Sequence, residues 1–181
     1  MTKESTLHFV LALMLFLIPV VLGLLPSGIL VYVSMGSPFL FFAILTGMLT
    51  NPVYGFLVGA LAPLTVWALR GEPEFLPEVL PAMCSCAAAG LMSGICYRKF
   101  LFPVGVSIAA LILSIIVYGI VKPAMCLLLK MSYKFTDFLN EVVVSVWPGL
   151  LLCIFLIPLI LSLLRKTGAI QTLHRDLDYS R

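Results

Sequence analysis

The sequence predicts an all-α polytopic membrane protein: six transmembrane helices in a compact bundle, both termini cytoplasmic. Three observations predict it. Of 181 residues, 62% are hydrophobic, against roughly 45–50% in a soluble domain. Only 10% are charged, where about 25% is ordinary, and the mean hydropathy is +1.17. Finally, residues 5–69 contain no Asp, Glu, Lys or Arg, which leaves room for up to three spans of about 20 residues each. A soluble domain of this size cannot hide so much apolar surface, and disordered chains are poor in apolar residues and rich in charge.

Helix breakers divide the apolar run at Pro26-Ser27-Gly28, at Gly36-Ser37-Pro38 and at Asn51-Pro52. The first helix covers residues 7–25. It is longer than a signal-peptide core of about 7–15 residues, and no A-x-A cleavage pattern follows. A loop with an apolar middle occupies 26–37, and the second helix, 38–50, is short for a span. The third covers 52–69, the fourth 78–96, the fifth 103–130 and the sixth 139–164. Residues 1–166 thus form a single membrane domain, and 167–181 a short polar cytoplasmic tail.

Charge placement orients the bundle. Lys3, Arg98, Lys99, Arg165, Lys166, Arg175 and Arg181 share one side, which becomes the cytoplasmic one. Arg70, Lys130 and Lys134 fall on the other, with Lys122 inside a helix. Glu72, Glu74, Glu78, Asp137 and Glu141 lie outside or at outer helix ends. The net charge of +3 is too small and dispersed for a nucleic-acid surface. Cys84, Cys86, Cys96, Cys126 and Cys153 form no C-x-x-C pair and no metal-type spacing, and read as small buried hydrophobes. No metal site and no cofactor is expected. There is no Walker motif, so the chain does not hydrolyse ATP by that route.

Polar groups are costly in lipid and therefore informative. Lys122, next to Pro123, is either a ligand contact on a pocket wall or a lysine that snorkels to the outer interface. Asn140 and Glu141 either bind a ligand or complement a helix dipole. Trp147, some way into the sixth helix, reads as a pocket residue, while Trp67 and Tyr133 read as interfacial aromatics. Glu72, Glu74 and Glu78 read as a solvated rim, and His8 as an interfacial histidine. Gly55-x-x-x-Gly59 and Gly90-x-x-x-Gly94 are spaced for close helix packing in lipid.

Three stretches carry a family likeness. The first is Leu49-Thr50-Asn51-Pro52-Val53-Tyr54-Gly55 and its continuation through Gly59 to Leu64. The second is Leu80-Pro81-Ala82-Met83, followed by Ala88-Ala89-Gly90-Leu91-Met92-Ser93-Gly94 up to Arg98-Lys99. The third is Trp147-Pro148-Gly149 with Leu156-Ile157-Pro158-Leu159 before Arg165-Lys166. In this order the chain resembles the substrate-binding S components of energy-coupling factor (ECF) vitamin transporters. The resemblance implies a vitamin or related micronutrient bound in an outward-facing pocket of a prokaryotic plasma-membrane protein. It also implies partnership with a membrane T component and two ATP-binding subunits, and delivery by reorientation in the bilayer. It maps Met83, Cys84, Ser85, Tyr118, Lys122, Asn140, Glu141 and Trp147 onto the pocket walls. The loop 26–37 becomes a lid bounded by Pro26, Gly28, Gly36 and Pro38, with Tyr32 and Ser34 along it. Two positions depart from the family: Ser85 stands about where many relatives have an acidic residue, and Phe16 follows Ala12 where an Ala-x-x-x-Ala pattern is common.

The expected role is therefore binding and gating without covalent chemistry. The competing readings are a small intramembrane thiol-redox enzyme and a membrane assembly protein with no small ligand. The first has only the Cys84-x-Cys86 pair behind it. Neither G-x-S-x-G nor H-E-x-x-H occurs.

Overall fold

A computed structural model describes residues 3–24, 36–71, 75–100, 102–141 and 147–166. Its helices are α1 (Lys3–Leu24), α2 (Gly36–Leu49), α3 (Pro52–Arg70), α4 (Leu80–Phe100), α5 (Pro103–Leu128), α6 (Phe135–Asn140) and α7 (Trp147–Lys166). A π-helical turn, Phe75–Val79, leads directly into α4. The described residues contain no strand.

Four stretches are long and apolar enough to cross a membrane: Thr6–Leu24, Pro52–Arg70, Leu76–Phe100 and Pro103–Leu128. The second and sixth expected spans correspond to shorter apolar helices, Pro38–Leu49 and Cys153–Leu164. A helix the length of α2 rises only ~21 Å, less than a bilayer core of ~30 Å. Of the helix expected over 139–164, the described residues show the end of α6, up to Asn140, and α7 from Trp147; residues 142–146 lie outside the described residues.

The expected lid falls largely outside the described residues, including Pro26, Gly28, Tyr32 and Ser34. Its far boundary moves: Gly36 and Pro38 belong to the first turn of α2 rather than to a loop. The tail 167–181 also lies outside the described residues.

Helix ends follow local chemistry. At the start of α3, Asn51 Oδ1 accepts from the Val53 amide at 3.3 Å and Pro52 takes the first position. That helix stops at Gly71, whose φ of 72° lets its amide donate to Trp67 O at 2.7 Å. The end of α5 has the same shape without the glycine. Lys130 takes a φ of 55°, with Lys130 N bonded to Leu127 O and Met131 N to Cys126 O. This is a Schellman stop, which normally carries glycine at the left-handed position.

Helix α4 occupies the middle of the bundle, packed on α2, α3 and α5. Its composition permits this, since Ser, Ala, Cys and Gly line its buried faces. A Cβ on Gly55 would lie 2.6 Å from Gly90 O, and one on Gly94 would lie 2.6 Å from the Pro52 Cα. One on Gly59 would lie 2.5 Å from Cys86 backbone atoms, and one on Gly47 of α2 would strike Gly90 O and Ser93 Oγ. Backbone approaches backbone at each point, the packing mode that small residues allow in lipid. Ser93 Oγ lies 3.1 Å from Ile44 O across the α2–α4 contact, and Arg98 donates to Thr50 O at 3.2 Å, satisfying a carbonyl at the α2–α3 corner.

The outward surface is apolar. On α5, Ile108, Ile112, Ile116 and Ile120 are exposed at four-residue spacing, and α1 exposes Leu13, Met14, Leu17 and Val21. The other face of α5 buries Ser107, Ala110, Ser114, Lys122 and Cys126. Lipid-like surroundings outside and a small, partly polar interior fit a membrane bundle.

Candidate functional site

The chain runs antiparallel from α4 into α5, so the start of α4 and the end of α5 share one end of the bundle. Arg98 marks the opposite end. At the first end, four polar side chains from four segments converge on Lys122.

Lys122 follows Tyr118 by one helical turn, and both lie on the interior side of α5. The Lys122 ammonium donates to Glu78 Oε1 at 2.8 Å, to Glu141 Oε1 at 3.2 Å and to Tyr118 Oη at 3.3 Å. Tyr118 Oη donates in turn to Glu141 Oε2 at 3.0 Å, and Tyr133 Oη donates to the same oxygen at 3.0 Å. The rings of Tyr118 and Tyr133 stand 5.7 and 5.8 Å from the ammonium, within cation–π range. Burial, followed by the hydrogen bond and negative charge of Glu141, pushes the Tyr133 phenol up from its ordinary value, so it remains a neutral donor.

Exposure divides the cluster. The Lys122 side chain is 2% exposed, whereas Glu78 and Glu141 are 46% and 35% exposed. The cation is enclosed and the carboxylates face outward. The Lys122 ammonium is directed into the cluster, and α5 continues past it to Leu128. Pro123 continues the helix, and the buried ammonium is tolerated because carboxylates and a phenol supply its partners.

Local structure positions each member. The π-helical turn before α4 carries Glu78. The Lys130 turn sends the chain back toward α5, and Lys134 N bonds Asp137 Oδ2 at 3.0 Å to start α6. Helix α6 then lies against α5: a Cβ on Gly119 would come 3.1 Å from the Phe138 ring. Glu141 follows α6 and so arrives beside Tyr118 and Lys122.

Of the residues that sequence reading proposed as walls, the structure brings together Tyr118, Lys122 and Glu141. Asn140 is exposed at the end of α6, one residue from the cluster. Ser85 is buried, its hydroxyl spent on Ala82 O at 3.0 Å, while Met83 and Cys84 are half-buried on α4. Trp147 is the first described residue of α7, and its side chain is outside the described residues. Two members went unrecognised as site residues. Glu78 was expected in a solvated rim and Tyr133 in an aromatic belt, yet one pairs with Lys122 and the other with Glu141. The available signal was charge balance: a lysine within an apolar helix needs counter-ions from the same end.

Among the described residues, no group of three or more His, Cys, Asp or Glu side chains is placed to hold a metal ion. Fold and site together define a helical membrane protein with an enclosed ion cluster at one end of its bundle. Compared with known proteins, the chain matches no family model, no curated protein and no solved structure.

Proposed function

We propose that this protein is a substrate-binding membrane subunit of the ECF type, an S component. In this reading it takes a vitamin-like micronutrient at the Lys122 end and passes it inward with a T component and two ATP-binding subunits, in a prokaryotic plasma membrane. One observation carries the reading: Lys122, Glu78, Glu141, Tyr118 and Tyr133 converge at one end of a bundle whose outer surface is otherwise apolar. Intramembrane ionisable groups are expensive and mark substrate paths by default. The likeness of the Asn51–Leu64, Leu80–Lys99 and Trp147–Lys166 stretches to S components supplies the transporter type. The role of the chain is to bind and enclose, since polar contacts strengthen as water is excluded.

A second reading has its own support. All three ammonium donors of Lys122 are used by protein acceptors, as in a clamp that only holds α4, α5 and α6 together. Extraction of small molecules from protein purified in mild detergent separates the two. A stoichiometric vitamin-like compound supports the transporter subunit. Protein that carries nothing, and that no added vitamin stabilises against heat, supports the clamp, because a ligand specific to the folded state must raise its stability.

A further inference from the structure

Within the ligand-binding reading, on which this inference rests, we propose that the substrate is a small organic cation. Its amine, amidine or quaternary ammonium group would dock on Glu78 beside the rings of Tyr118 and Tyr133.

Donor accounting comes first. An ammonium has three N–H donors and a phenol one. Lys122 directs its three at Glu78, Glu141 and Tyr118, and both phenols donate to Glu141. An anionic ligand would find every donor of the cluster engaged. Acceptors remain: among the described residues no donor reaches Glu78 Oε2, and the Tyr133 oxygen accepts from none. The described side chains of the cluster thus offer acceptors and match a ligand that brings donors.

Charge balance agrees. Two carboxylates face one ammonium, leaving the cluster one negative charge in excess. Lys130 and Lys134, at the same end, are exposed to solvent and screened. Covering an uncompensated carboxylate is costly, so occupation of the site favours a ligand of +1 charge. Access has the same sense, because the carboxylates are part-exposed and the ammonium is not. An incoming molecule meets Glu78 before Lys122. The two tyrosine rings already flank a cation, and ring faces prefer cations over anions.

The test uses the full-length protein in detergent and three probes of one shape: benzylamine, benzyl alcohol and benzoate, at constant ionic strength. Benzylamine, protonated at neutral pH, should raise the melting temperature saturably, and the other two should not. Glu78→Gln should weaken the benzylamine response by about tenfold or more. Glu78 is part-exposed, so this variant should fold, and Glu78→Asp should restore part of the response. Stabilisation by benzoate, no response to benzylamine, or a response that survives Glu78→Gln would each overturn the cation assignment. The native ligand separates this inference from the transporter reading. An anionic compound extracted with the protein would sink the cation assignment and leave the binding function standing. Protein that carries nothing and responds to none of the three probes would remove both.

Discussion

At the level of single residues, Lys122 is decisive, because an enclosed ammonium makes its partners unequal. Losing one carboxylate leaves Lys122 paired through the other. Losing both strands it, and an uncompensated buried charge costs about 3–5 kcal/mol. Glu78→Gln and Glu141→Gln should therefore each lower the melting temperature slightly, and the double variant should lower it by much more than their sum. Lys122→Met should fall between, at about 1–2 kcal/mol, because the part-exposed carboxylates left behind can rehydrate. Additive single effects in a thermal-melting cycle would show that the cluster does not act as a unit. Tyr133 gives a pH signature. Its folded titration is raised above the ordinary value of 10.0, so the stability it contributes is complete below pH 10 and is lost as pH rises through the folded value. Tyr133→Phe should therefore melt lower than the native protein at neutral pH, with the difference shrinking in alkali. Comparing the two proteins cancels what other groups contribute, and a constant difference across that range would contradict the Tyr133–Glu141 bond. Of the cluster, Tyr118, Lys122 and Glu141 were legible because polar groups stand out in an apolar sequence. Glu78 and Tyr133 were not, because their partners are 44 and eight residues away.

At the level of elements, legibility followed the stop signals. The α2–α3 corner was readable because Asn51-Pro52 carries both a cap and a preset first turn. The small-residue spacing on α3 and α4 was readable too, whereas Gly47, pressed on Gly90, has no glycine four residues away to announce it. The end of α5 was overrun by two residues, since Leu129 and Lys130 carry no breaker. The chain turns there with a lysine in the left-handed region, a conformation that costs a side-chain-bearing residue about 1 kcal/mol. Lys130→Gly should consequently stabilise the protein, by about 0.5–1 kcal/mol, with the exposed lysine charge as the only loss. An unchanged or lowered melting temperature would mean that the turn is held in some other way. In a membrane protein, hydropathy no longer distinguishes a helix from the connection that follows it.

At the level of the whole molecule, the question is which end of the bundle faces which compartment. The alternation of α3, α4 and α5 puts Arg98 and Lys99 at one end and Lys122, Met131 and the carboxylates at the other. By the Lys/Arg bias near span ends the first of these is expected in the cytoplasm, and the proposed capture of nutrient from outside requires the second to face out. The two arguments are independent, and one labelling experiment tests them together. In a variant with all five native cysteines replaced by Ser or Ala, Lys99→Cys and Met131→Cys introduce thiols at exposed positions at opposite ends. An impermeant thiol reagent added to intact cells should label the cysteine at 131 readily, and the one at 99 only after the membrane is opened. The reverse pattern would place the Lys122 cluster in the cytoplasm, and an importer that first meets its substrate there has the wrong polarity. Equal labelling of both in intact cells would mean that α5 does not carry the chain across the bilayer, and the membrane-bundle reading would fail at its longest span.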